Sequence, residues 1–169
     1  MEKMNILVPL DVSKNSNLLA KYAEEIGKRL NGKLVFYHVI DERNLFTYNA
    51  VYSFPEYYPE IKVDPEVEKQ IKENTFNQIK KILEDLQIKD IEHPIVVEFG
   101  IPYIEICEYA TDNNFDLVII GSHGKTNLKD IFLGSVVDYI SHHISKPVLI
   151  NDAKYSQQLR SEEHTSELQ

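Results

Sequence analysis

The stretch DLVIIGSHGKTNLKDIFLGSVVDYISHHISKPVLIN, residues 116–151, contains one full repeat of an architecture. Its first six residues make a short apolar run of the kind a buried strand shows. A helical pattern follows Gly134, with Val136 or Val137, Ile140 and Ile144 on one face. KPVLIN then returns to the strand pattern. Strand, helix and strand in that order make a crossover unit, which is right-handed and leaves its two strands parallel.

The same alternation runs through the upstream chain. NILVPL, KLVFYHVI and IVVEF (residues 95–99) are further apolar runs rich in β-branched residues, which brings the expected strands to five. Leu19, Tyr22, Ala23, Ile26 and Leu30 recur at helical spacing, with Ser13, Asn15 or Ser16 as candidate caps and Asn31-Gly32 as the stop. Asp64-Pro65 opens a second helix with an expected buried stripe of Val67, Ile71, Phe76, Ile79, Leu83 and Leu86. A third helix is expected from about Pro102 to Asn113. Alternating strands and helices predict an α/β fold: one domain with an open parallel five-stranded sheet covered by helices on both faces. Ligands of such sheets sit beyond the carboxyl ends of the strands, where strand order reverses. That directs attention to Pro9 to Ser13, Val39 to Glu42, Gly100 to Pro102, and Gly121 onward.

Composition narrows the function classes. The 169 residues are 43% hydrophobic and 27% charged, the balance of a soluble globular chain, and no apolar run approaches the ~20 residues of a membrane span. The N-terminal MEKMNILVPLDVS does not read as a signal peptide, so a cytoplasmic protein without membrane association is expected. A net charge of −9 argues against nucleic acid as a partner. Cys107, the single cysteine, excludes an internal disulfide and shares helical spacing with Ile101, Ile104 and Ala110, which predicts packing rather than reactivity. The terminal RSEEHTSELQ, residues 160–169, has no apolar periodicity and matches an in-frame translation of a sequencing-library adapter. An assembly artefact is therefore expected there, and without it the net charge becomes −7. The expected layout is a domain over residues 1–151, a C-terminal extension over 152–159, and the artefact.

GSHGKTNLKDIFLGS, residues 121–135, contains GKT, yet a P-loop would need glycine at position 119, where Ile119 stands. The dinucleotide pattern GxGxxG fails as well, because His123 takes the place of the second glycine. What remains is Gly121-x-x-Gly124, nine residues, and Gly134-Ser135 at a helix start. Glycines permit close backbone approach, and Gly134, Ser135 and Val136 are expected to present amides to an anion. A glycine-rich turn without a ligand would look the same.

This spacing, the preceding apolar strand and the following KPVLI resemble the ATP-binding branch of the universal stress protein family, UspA-like proteins. PLDVS resembles the family's first-strand loop and FYHVIDE its second strand and exit, so the likeness runs from about Asn5 to Asn151. The resemblance implies a Rossmann-like fold, of the adenine nucleotide alpha hydrolase type, with strand order 3-2-1-4-5. It implies that Asp11 contacts ribose or adenine and that Val39 lines the adenine pocket. Gly121, Gly124, Gly134, Ser135 and Val136 would hold ribose and phosphates, flanked by Ile120 and Pro9. Each has an alternative: Asp11 as a cap of the first helix, Val39 as core, Ser135 as a helix N-cap. The resemblance further implies ATP with Mg²⁺ or Mn²⁺ bound mainly through the phosphates. It also implies a homodimer through the last strand, Pro147 to Ile150, whose apolar edge is of the kind proteins cover.

His123 and Lys125 could approach a γ-phosphate or form a solvated loop, and no base for activating water is evident. His142 and His143 are adjacent on a helix, so they do not make the i, i+4 pair of a metal site. The long connection from Asp41 to Val63 holds Phe46, Tyr48, Tyr52, Phe54, Tyr57 and Tyr58, either a lid, a partner surface or a packed flap. The leading expectation is a nucleotide-dependent regulatory switch of the stress response. A slow ATPase or nucleotidyl-transfer enzyme, and a non-nucleotide interaction module, stand as alternatives.

Overall fold

The computed structural model describes residues 3–13, 15–46, 64–122 and 134–152. The aromatic residues Tyr48 to Tyr58, together with Gly124, His123 and Lys125, lie outside the described residues, as does the tail from residue 153. The elements are β1 (Met4–Pro9), α1 (Ser16–Arg29), β2 (Gly32–Asp41), α2 (Glu42–Phe46), α3 (Pro65–Asp85), β3 (Ile95–Gly100), α4 (Pro102–Asp112), β4 (Leu117–Gly121), α5 (Ser135–His143) and β5 (Val148–Asn151). Helix α2 was not expected; five residues are too few to show a helical period.

All strand pairings are parallel and the order is β3-β2-β1-β4-β5, as expected. Strand alternation sorts the apolar side chains onto two faces. Ile6 and Val8 of β1, Leu34 and Phe36 of β2, and Ile119 of β4 pack with Leu19, Ala20 and Ala23 of α1 and Ile79 and Leu83 of α3. Leu7, Val35, Tyr37, Val39, Val118 and Ile120 face the other way, onto Ile106 and Ala110 of α4 and Val137 and Ile140 of α5. Each fully buried Val, Leu, Ile or Phe among them contributes roughly 1.5–3 kcal/mol. Helices α1 and α3 thus share one face and α4 and α5 the other, because the chain first winds from β1 toward β3 and then restarts on the opposite side of β1.

Three helical stripes differ from expectation. On α1 the buried line is Leu19, Ala20, Ala23 and Gly27, whereas Leu30 is exposed. Small residues let the helix lie close to the sheet: a Cβ on Gly27 would stand 2.8 Å from Leu34 Cδ2. On α3 only Ile79 and Leu83 are buried, and Val67 and Phe76 are exposed. Its 21 residues span about 31 Å, against about 20 Å for the six residues of β3. Its amino-terminal turns therefore extend past the carboxyl edge of the sheet, while Lys72 still reaches Glu98 of β3. On α4 the inward residues are Ile106 and Ala110, with Cys107 half-buried beside them. Burial, with Glu108 nearby, pushes the Cys107 thiol pKa up, which keeps it protonated.

Candidate functional site

Strand order reverses between β1 and β4, and a cavity of about 580 Å³ opens there at the carboxyl edge. Pro9, Asp11, Val39, Ile120, Gly121, Gly134, Ser135 and Val136 all line it. Of the expected site residues only Gly124 falls outside the described part. Val12 also lines the cavity, within the stretch Pro9 to Ser13 singled out in the sequence; sequence reasoning missed Asn15 and Ser16 as lining residues on the β1–α1 side, Thr75 and Gln78 on α3, and Asn151 at the end of β5. The residues on α3 carried no signal, because their place at the cavity depends on how that helix lies across the sheet.

The β1–α1 wall is built on side chains. Asp11 Oδ1 accepts the Ser13 backbone N–H at 3.0 Å and the Ser16 hydroxyl at 2.9 Å. Asp11 Oδ2 is buried and has no hydrogen-bond partner among the described residues. A buried acceptor left in that state costs about 1–3 kcal/mol until a donor reaches it. Asp11 does not occupy the N-cap position of α1; Asn15 stands there, without a side-chain cap bond. Val12 has φ 57, a left-handed conformation that a β-branched residue avoids at a cost of roughly 1–3 kcal/mol. Beside this turn, Leu10 N–H donates to Tyr37 C=O at 2.8 Å and His38 Nδ1–H donates to Leu10 C=O, so the end of β1 is clamped onto β2.

The β4–α5 wall is built on backbone. Ser122 N–H donates to Asn151 C=O at 2.9 Å, and Gly134 N–H donates to Ser122 C=O at 3.0 Å, which ties together the two ends of the segment between them. Gly134 is the N-cap of α5, with φ −59 and ψ 150, and Ser135 is the first helical residue, not a cap. The first amide to bond back within the helix is that of Asp138, to Gly134 C=O at 2.9 Å. Ser135, Val136 and Val137 therefore carry the N–H groups without an intrahelical acceptor. Gly134, expected to present a free amide, instead donates it to Ser122 C=O, and Val137 stands with Ser135 and Val136 as the third such amide.

The charged side chains of the described lining are Asp11 and Asp41. Arg43 grips Asp41 through Nε at 2.8 Å and a terminal nitrogen at 2.6 Å, and these hydrogen bonds hold the Asp41 carboxyl below its ordinary range. Arg43 also lies 5.8 Å above the Tyr103 ring. On the third side Gly100 ends β3 with φ 150, where a Cβ would stand 2.5 Å from the Glu105 carboxylate, and Pro102 follows it into the cavity wall. His142 and His143 are exposed on α5, each bonded through Nδ1 to the carbonyl four residues earlier, and His143 stacks on Tyr139 at 3.8 Å. Among the described residues no group of three His, Cys, Asp or Glu side chains converges as metal ligands would. Nor is any described helix long and apolar enough to cross a membrane.

A doubly wound parallel sheet with a cavity at its switch point, walled by a helix amino terminus, defines a Rossmann-like α/β protein. The chain belongs to the universal stress protein family, whose model matches residues 3–151. It is 36% identical over 160 residues to universal stress protein MJ0577 of Methanocaldococcus jannaschii, covering 89% of this chain and 96% of that one. The solved structure of MJ0577 aligns with TM-score 0.70 at 30% identity over 90% of this chain and 97% of its own. A universal stress protein in complex with cAMP aligns with TM-score 0.56 at 20% identity, covering 90% of this chain and 99% of that one. One from Archaeoglobus fulgidus in complex with dAMP aligns with TM-score 0.53 at 16% identity, covering 89% and 98%. These last two are likenesses of fold.

Proposed function

We propose that this protein is an ATP-binding regulatory switch of the stress response that acts as a cytoplasmic homodimer. The observation that carries the reading is the unlike chemistry of the two cavity walls. Asp11 presents an unpartnered carboxylate oxygen, which accepts a donor and repels an anion. The α5 amino terminus presents backbone amides, which do the reverse. A molecule with hydrogen-bond donors on one part and anionic oxygens on another satisfies both, and an adenine nucleotide is such a molecule. The family structures named above hold cAMP and dAMP, which share adenine and a phosphate.

In this reading Asp11 meets the ribose or adenine, Val39, Ile120 and Pro9 form the apolar bed, and Gly121 and Gly124 let the loop close over the phosphates. The amides of Ser135, Val136 and Val137 receive the phosphate oxygens, each charge-assisted bond contributing about 1.5–3 kcal/mol. Mg²⁺ or Mn²⁺ would be carried mainly by the phosphates. Homodimerisation through β5 is supported by its place at the sheet edge and by Ile150, which is 38% exposed there.

Mass spectrometry of the small molecules released by denaturing the purified protein is expected to find an adenine nucleotide. Calorimetry of the stripped protein is expected to show binding of ATP with Mg²⁺; absence of both overturns the reading. Ile150→Asp is expected to convert a dimer to a folded monomer in light scattering, since it places a charge at an exposed position of the edge strand.

A further inference from the structure

We infer that Ser16 is a positioning residue for the ligand: its hydroxyl holds the Asp11 carboxylate so that Oδ2 is the oxygen left to accept a donor. The inference rests on the nucleotide reading above. A carboxylate turns easily about its last torsion, which has two broad and equivalent wells. With the Ser13 amide alone on it, the carboxylate plane can swing about that one bond. The second donor fixes the plane: Ser16 Oγ lies 2.9 Å from Oδ1, the same oxygen that accepts Ser13 N–H at 3.0 Å. Ser16 is suited to this because it is only 2% exposed and is the first residue of α1, so its position is set by a rigid element. Its own N–H is already committed to Ser13 C=O at 3.1 Å, which leaves the hydroxyl for Asp11. The left-handed Val12 between them turns the chain so that residues 11 and 16 can meet. Oδ2, buried and unpartnered, is then a fixed acceptor whose ligand must supply a donor.

The donor is either the exocyclic amino group of the base or a ribose hydroxyl. Calorimetric affinities of wild type, Ser16→Ala, Asp11→Ala and the double variant for ATP test the role, with purine riboside triphosphate lacking the amino group and 2′,3′-dideoxy-ATP lacking the hydroxyls. Ser16→Ala is expected to weaken ATP by about 5- to 10-fold. It should leave unchanged the analogue that lacks the group Asp11 receives, and which analogue that is names the donor. In the Asp11→Ala background Ser16→Ala should have no further effect. Equal weakening of all three ligands, or the same loss with Asp11 already removed, overturns the positioning role and leaves the nucleotide reading standing. A wild-type protein that binds none of the three overturns both. Thermal unfolding of each variant separates loss of fold from loss of affinity. Where Asp11→Ala binds too weakly to measure, the analogue comparison decides.

Discussion

The two walls of the cavity solve the same problem with different parts of the chain. On the β1–α1 side a single carboxylate is aimed by a strained turn and two hydrogen bonds, so the chemistry lives in side chains and depends on residue type. On the β4–α5 side the donors are amides of a helix start, and no particular side chain is needed. In the proposed nucleotide reading, specificity for a neutral group therefore sits where mutation is chemically costly, and affinity for an anion sits where only backbone geometry matters.

Removing an amide of the α5 amino terminus has the largest expected effect. Ser135→Pro deletes the first N–H at a position where proline is favoured, and the extended ψ of Gly134 accommodates a following proline. ATP affinity should fall about 10- to 100-fold, the equivalent of roughly 1.5–3 kcal/mol. Adenosine, which has no phosphate, should bind as before in the same calorimeter. Asp11→Asn acts on the other wall and should do the opposite in kind, because the carboxamide presents a donor where the ligand also has one. Affinity for ATP and for adenosine should fall together, by about tenfold.

The smallest effect belongs to a site outside both walls. Glu24 of α1 is buried and accepts from Lys21 and Lys28, both at 2.9 Å, and from the Lys89 amide at 3.1 Å. Burial pushes its carboxyl pKa up, but the hydrogen bonds from Lys28 and Lys21 outweigh that and the net shift is downward. A lowered folded pKa contributes stability above the unfolded value of about 4.3, and that contribution is lost as pH falls through the folded value. Glu24→Gln should cost about 1 kcal/mol in denaturant unfolding at pH 7. The cost should vanish on acidification below the ordinary glutamate range, and ATP affinity should not change.

How each wall could be read in advance follows from the same contrast. Asp11 was legible as a polar residue just past an apolar strand, and Gly134-Ser135 as a glycine before a helical period. The sheet was legible because strands alternate with helices, the short α2 before α3 being the one addition among the described elements. What escaped was geometry that no local pattern encodes: the capture of Gly134 N–H by Ser122, the left-handed Val12, and the placement of Thr75 and Gln78 of α3 at the cavity. The aligned apolar residues of α3 overstated its burial because periodicity says which face is apolar and not how long the covering sheet is.

The most direct measurement is a titration of the ¹⁵N-labelled protein followed by amide resonances, with ATP and with adenosine. Both ligands should shift amides around Asp11, Val39 and Ile120, and ATP alone should add large shifts at Ser135, Val136 and Val137. Identical shift patterns for the two ligands, or ATP shifts confined to another surface such as the groove between Phe76 and Pro94, would contradict the division of the cavity into a carboxylate wall and an amide wall.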